Sequence, residues 1–426
     1  MEPELLASFA VALLAFGVVS RRLERGFLTP PMVFVSLGIA MGQLGWLGSA
    51  SGLLHALAEL TLALVLFTDA ARIDFAHLRH EASLPARLLG IGLPLTVAAG
   101  AVAAWVTAPE LGLWGAVLLG AILAPTDAAL GQAVVSETRV PVRVRQSLNV
   151  ESGLNDGIVL PIVLVAASFA GAAVEGGGAF GWLPFAAAQL TLGPLAGVAV
   201  GYLGGRAVTR AVRADWMSEP FQRLSVLGLA GLAFAFAELL GGNGFLGAFV
   251  AGLTVGRTAR PVCARACEFG EAEGQLLTLV VFVIVGGIMV PGAVAHWDYR
   301  TWLYAGLSLT LVRMAPVAFS LAGMGLRPAT LAFVGWFGPR GLASILYVRI
   351  VAGGGLAASD LVESTVTLTV LLSVFLHGVT AYPLSRRYWE LLAVARDRYG
   401  EEHRPVPELP VRIRHAAGVR GSRSSS

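Results

Sequence analysis

Apolar runs of about twenty residues recur along the whole chain, separated by short stretches that carry nearly all of its charge. A run of that length, wound as an α-helix, matches the hydrocarbon core of a bilayer. Within lipid each backbone polar group must be satisfied inside its own segment, so a succession of such runs predicts a bundle of membrane helices. Only 13% of the 426 residues are charged, against about 25% in soluble domains. An ordinary soluble protein is excluded. The fifty-two glycines suit close helix packing and interrupted membrane helices. All thirty basic residues are arginine, which rules out a catalytic or Schiff-base lysine. The net charge of +3 is a matter of membrane topology and gives no indication of nucleic-acid binding. Cys263 and Cys267 are too few for a disulfide framework and have no histidine nearby for a zinc site, so free thiols are expected.

Breaker residues and hydropathy divide the chain into about thirteen apolar segments, near 4–20, 28–47, 52–71, 86–107, 111–135, 147–174, 182–207, 221–240, 243–256, 274–292, 301–324, 330–351 and 362–384. The first follows Met-Glu-Pro-Glu and runs into Arg21-Arg22, which reads first as a retained span and second as a cleaved leader. Arginines test the division, because short cytoplasmic loops collect them. Loops after odd-numbered segments hold Arg21, Arg72, Arg139, Arg206, Arg257 and their neighbours, whereas those after even-numbered segments hold only Arg300 and Arg349. The amino terminus is therefore expected outside and the carboxyl terminus in the cytoplasm of a bacterial inner membrane. Within segments only Arg313 and Arg340 are left.

An odd count makes the first six segments (about 4–174) and the last six (about 221–384) antiparallel in the membrane, joined by segment 182–207. That is the inverted-repeat plan of many secondary transporters. The fifth segment is interrupted at Ala124-Pro125-Thr126-Asp127 and the twelfth at Gly338-Pro339-Arg340-Gly341, the corresponding member of each half. Proline removes a backbone donor, and freed backbone is tolerated at depth only against protein or a polar cavity. The expected fold is all-α, with broken helices 5 and 12 crossing and residues 1–384 forming the membrane domain. A short arginine-rich tail, 385–426, reads as disordered and able to touch anionic lipid.

Ionisable groups at membrane depth are costly and mark function. Asp127 stands beside Thr126 in the fifth segment, and Glu151-Ser152-Gly153-Leu154-Asn155-Asp156 opens the sixth. On a helix Ser152, Asn155 and Asp156 share a face while Glu151 turns away. Arg340 is the expected partner of Glu151, with Arg313 the less favoured one. Asp127 and Asp156 then share a low-dielectric cavity with the oxygens of Thr126 and Ser152, a donor set for a hard monovalent cation or for a proton. Competition of the two for one site is antiport chemistry. Asp69 is read first as an interfacial ion pair near Arg72 and Asp74, and second as a cation ligand. Glu238 is expected at the outer surface, and His77 and His80 in a solvated loop.

These residues resemble the NhaP-type branch of the bacterial sodium/proton exchanger family. The resemblance runs through Thr126-Asp127, Glu151 to Asp156 and Gly338 to Gly341. Lesser matches are Leu66-Phe67-Thr68-Asp69-Ala70 and the stretch from Asn243 to Gly252. It implies a homodimer with a dimer domain and a moving core domain. It also implies that the Asn155-Asp156 pair accompanies electroneutral one-for-one exchange of Na⁺, or of Li⁺ or K⁺, for H⁺, with no cofactor. One departure is that Pro125 precedes Thr126 and Ala128 follows Asp127, where the family often has Thr-Asp-Pro. An intramembrane aspartyl protease also uses two aspartates, but Asn155 replaces the glycine of its motif and paired broken helices serve no proteolysis. A passive cation channel is the other reading, and proton coupling separates it from an exchanger.

Overall fold

The computed structural model describes residues 3–23, 28–46, 51–72, 83–135, 137–175, 179–259, 273–352, 359–394 and residue 402. Cys263, Cys267, His77, His80 and Asp74 lie outside the described residues. Among the described residues every regular element is helical. In chain order these are α1 Pro3–Leu23, α2 Pro30–Gln43, α3 Ser51–Ala71, α4 Ser83–Thr107, α5 Gly112–Ile122, α6 Ala128–Val135, α7 Val142–Glu175 and α8 Ala179–Arg213. They continue with α9 Glu219–Leu239, α10 Gly244–Thr258, α11 Glu273–Val294, α12 Tyr299–Ser320, α13 Pro328–Trp336, α14 Leu342–Ala352 and α15 Ser359–Val394. Every expected apolar segment falls on a helix or on an interrupted pair. Among the described residues seven helices are long and apolar enough to cross a membrane, and α2 and α5 are shorter apolar helices. The chain is a multi-pass membrane protein.

Close backbone approaches determine how the helices group. On α8 an added Cβ at Gly197 would lie 2.4 Å from the Gly247 carbonyl of α10, so the two helices pack at backbone distance there only with glycine. Likewise α2 lies against a π-helical turn of α11, Val285–Met289, with the Cβ position of Gly42 2.3 Å from the Gly287 carbonyl. The helices α3, α8, α9 and α10 make one packed group, and α4 to α7 with α12 to α15 make another. The latter contains both broken helices.

Two elements extend beyond their expected limits. The last helix runs on to Val394 and does not stop at 384, because beyond Arg386 it still buries Tyr388 and Leu392 against Phe333 and Phe337. The tail was expected to be disordered, yet Glu402 is fully buried and accepts hydrogen bonds from the Arg327 backbone N–H (2.9 Å) and the Thr330 hydroxyl (3.0 Å), at the start of α13.

Candidate functional site

Each broken segment is a pair of helices too short to cross a bilayer. Eight to eleven residues at about 1.5 Å per residue make about 12–17 Å, near half of the ~30 Å hydrocarbon core. Their inner ends therefore meet at mid-depth, where unpaired helix-end groups need partners.

The two breaks supply those partners to each other. Asp127 donates its backbone N–H to the Pro339 carbonyl (2.8 Å), and its Oδ2 accepts from the Leu342 N–H at the start of α14 (2.8 Å). Its Oδ1 faces the Leu130 N–H at the start of α6 (3.4 Å). A carboxylate at two helix N-termini is favourable both as a cap and against the helix dipoles. In return the Arg340 guanidinium donates to the Ala124 carbonyl and to the Pro125 carbonyl (3.1 Å), and the Ser344 hydroxyl donates to Ile122 (2.7 Å), at the C-terminal end of α5. An added Cβ at Gly341 would fall on the Asp127 carboxylate, so only glycine lets the aspartate this close to the non-helical link.

A hydroxyl and amide cluster joins this crossing to α7. Thr126 Oγ1 lies 2.9 Å from Ser152 Oγ and accepts from Asn155 Nδ2 at 2.7 Å. Thr126, Ser152, Asn155 and Asp156 are all buried, with Ser152 and Asp156 (8% and 9% exposed) the more accessible face. The backbone carbonyl of Asp156 accepts the Tyr347 hydroxyl of α14 (2.8 Å), a second tie between α7 and the broken twelfth segment. Thus hydrogen bonds join Thr126, Ser152 and Asn155; Asp127 follows Thr126 with its carboxylate turned to the starts of α6 and α14, and Asp156 follows Asn155 on α7.

The expected Glu151–Arg340 pair is not formed. Glu151 instead pairs with Arg313 of α12 in a bidentate arrangement, Nη1–Oε1 2.5 Å and Nη2–Oε2 2.8 Å, with both side chains fully buried. The reason is geometric: Arg340 is held by the carbonyls of the α5 end, while Arg313 reaches from α12 to the Gly338 side of the break and meets Glu151 there. Asp69 on α3 is half-buried and packs beside α7, where a Cβ on Gly153 would lie 4.0 Å from its own. Glu238 is exposed, as expected, and its carboxylate accepts from the Gly244 N–H at the start of α10 (2.7 Å). Ser344, Tyr347, Ser373 and His377 were not anticipated. The signal for His377 was available, since it is an ionisable residue inside the last apolar segment.

Comparisons with known proteins agree with this architecture. The chain is 25% identical over 89% of its length to a protein named K(+)/H(+) antiporter NhaP of Alkalimonas amylolytica, and covers 65% of that relative. It is 26% identical over 96% of its length to K(+)/H(+) antiporter NhaP2 of Shewanella sp. strain ANA-3, and covers 71% of it. The chain thus spans about two thirds of the length of these curated relatives. The solved structure of the sodium proton antiporter MjNhaP1 from Methanocaldococcus jannaschii superposes with a TM-score of 0.70 at 19% identity, covering 91% of this chain and 99% of that one. Residues 8–387 match the family described as sodium/hydrogen exchanger, transmembrane, and the chain belongs to that family.

Proposed function

We propose that the protein exchanges a monovalent cation for H⁺ across the membrane, one for one, by alternating access. The observation that carries this reading is the buried Thr126–Ser152–Asn155 cluster, which joins Asp156 on α7 to the crossing of two broken helices at Asp127. Carboxylate, hydroxyl and carbonyl oxygens are the ligands a hard cation prefers. Asp156, on the more accessible face of α7, takes either the proton or the cation. Asp127, Thr126 and Ser152 complete the oxygen set, with Asp69 of α3 the next carboxylate to test as a ligand.

Glu151 then serves structure through Arg313, and Arg340 serves the shape of the break. The packed group of α4 to α7 and α12 to α15 is the moving body, and the group around α8 and α10 supports it. Two inverted repeats, about 4–174 and 221–384, account for the paired breaks. A homodimer in a bacterial inner membrane, amino terminus outside, fits the arginine distribution and the family.

Na⁺ is the first cation to test and K⁺ the second, since the Shewanella and Alkalimonas relatives are named K(+)/H(+) antiporters. The assay is pH-gradient dequenching in proteoliposomes with Na⁺, K⁺ and Li⁺ in turn. Asp156→Asn is expected to abolish exchange and to leave the protein folded. Wild-type proton flux in that variant would overturn the site assignment.

A further inference from the structure

The break in the twelfth segment is closed from a side that the ion site does not use. Pro339 lacks an N–H, so the first amide available beyond it is that of Arg340. That N–H donates to Ser373 Oγ of α15 at 2.6 Å. On the other side of the break the carbonyl of Trp336, the last residue of α13, faces His377 Nε2 at 2.9 Å. His377 Nδ1 lies 3.0 Å from the Ser373 carbonyl and 3.2 Å from its hydroxyl, so both ring nitrogens face a carbonyl. A neutral ring donates through one of them, and only Nδ1 has beside it a group able to donate; the proton is therefore assigned to Nε2. His377 Nδ1 is then an acceptor, and the Ser373 hydroxyl, already accepting from Arg340, points its own proton there across 3.2 Å. One chain of hydrogen bonds thus runs from the end of α13 to the start of the link into α14, and both of its side chains are buried on a single turn of α15.

A second tie holds the same helix end. The Trp336 indole N–H donates to Thr380 Oγ1 at 3.0 Å, and its ring lies 5.1 Å from the imidazole.

We propose that His377 is a positioning residue for ion exchange: its imidazole, with Ser373, spans the break and fixes the separation of α13 and α14, and with it the placement of Arg340 over the α5 carbonyls and of the Leu342 N–H over Asp127. This rests on the proposed antiport reading and adds a residue to it that lies on neither broken helix. His377 touches neither carboxylate and carries no transported proton. Its effect reaches the site through two backbone amides. Losing it loosens the cation site without removing a ligand.

The test uses the full-length protein with His377→Ala, His377→Gln, His377→Asn and Ser373→Ala. The apparent KM and Vmax for the transported cation are measured in proteoliposomes, and amide hydrogen exchange over residues 337–342 is measured in detergent. His377→Ala is expected to raise KM about tenfold, the scale of one buried hydrogen bond, with a smaller change in Vmax, and to speed exchange at Arg340 and Leu342. Glutamine, which keeps a donor near the Nε2 position, restores both; asparagine, which reaches only the Nδ1 position, does not. Ser373→Ala speeds exchange at Arg340 even if His377→Ala fails to fold. Unchanged KM in the histidine variants, or glutamine behaving like alanine, would overturn the proposal. If the wild-type protein moves no cation against protons, the antiport reading falls with its own assay, and unaltered exchange at Arg340 and Leu342 in the variants would independently overturn the clasp.

Discussion

Glu151 and Arg313 meet where water has no access, so each charge depends on the other. Removing one partner of such a pair typically costs about 3–5 kcal/mol, because the survivor is left buried and uncompensated. Glu151→Gln and Arg313→Gln should therefore each lower the melting temperature and yield, and together they should be less harmful than the sum. Thermal unfolding in detergent is expected to give a coupling of at least about 1 kcal/mol for this pair. For Glu151→Gln combined with Arg340→Gln the coupling should be smaller, since no hydrogen bond joins those two side chains. The reverse ranking would restore the Glu151–Arg340 pairing. Sequence reasoning had two arginines to set against Glu151 and chose Arg340, because the partner depends on where the Arg313 side chain reaches from α12, a relation with no local signal. By contrast Thr126, Asp127, Ser152, Asn155 and Asp156 were legible, since two short motifs place all five and helical spacing decides which of them share a face.

At the scale of elements the recurring theme is the helix end. Arg340 and Ser344 take the carbonyls of α5, Asp127 the amides of α6 and α14, and His377 the last carbonyl of α13. Two arginines expected only to mark cytoplasmic loops do the same work: Arg87 donates to the Ser320 and Ala322 carbonyls at and just beyond the end of α12, and Arg145 to the Val135 carbonyl that ends α6. Gly341→Ala should be far more damaging than Ser344→Ala. The first drives a methyl into Asp127, whereas the second loses one hydrogen bond worth about 1 kcal/mol; melting temperature and transport of the two variants decide this. Glu402 makes a pH-dependent case. Burial alone would push its carboxyl up, but hydrogen bonds from its own N–H, the Arg327 N–H and the Thr330 hydroxyl, with the Arg327 charge beside it, hold it below the ordinary range. A carboxylate lowered in the folded state stabilises above its unfolded pKa of about 4.3, and that stabilisation is lost as pH falls through the folded value. Glu402→Gln should thus cost about 1 kcal/mol near pH 7, the scale of a helix cap, and progressively less below about pH 4.3, read as a converging pair of melting curves. The breaks were visible in the sequence because proline announces them. The long-range caps were not: Asp127 to Leu342, Arg340 to Ala124 and Ser344 to Ile122 each join residues more than two hundred positions apart, which only packing brings together.

On the scale of the whole molecule, two half-crossings meet at mid-depth, and the charges there are arranged in opposite senses: an aspartate at two positive helix ends and an arginine at a negative one. Such a crossing holds its own fixed charges in balance and leaves the cargo to decide what net charge crosses. If Asp156 with Asp127 carries one cation in one direction and one proton in the other, the loaded site has the same charge in both crossings, and no net charge moves per cycle. A membrane potential, worth about 2.3 kcal/mol per elementary charge per 100 mV, would then neither drive nor oppose exchange. A tenfold cation gradient would balance about one pH unit, each about 1.4 kcal/mol. Proteoliposomes with a fixed cation gradient and a series of imposed potentials test this, using valinomycin and K⁺ where K⁺ proves not to be transported, and a permeant-anion gradient where it is. The pH difference at which proton flux reverses is expected to stay constant across the series. A reversal point that moves with potential means that a second proton crosses with each cation, and the buried Glu151 would be the first carboxylate to examine as its carrier.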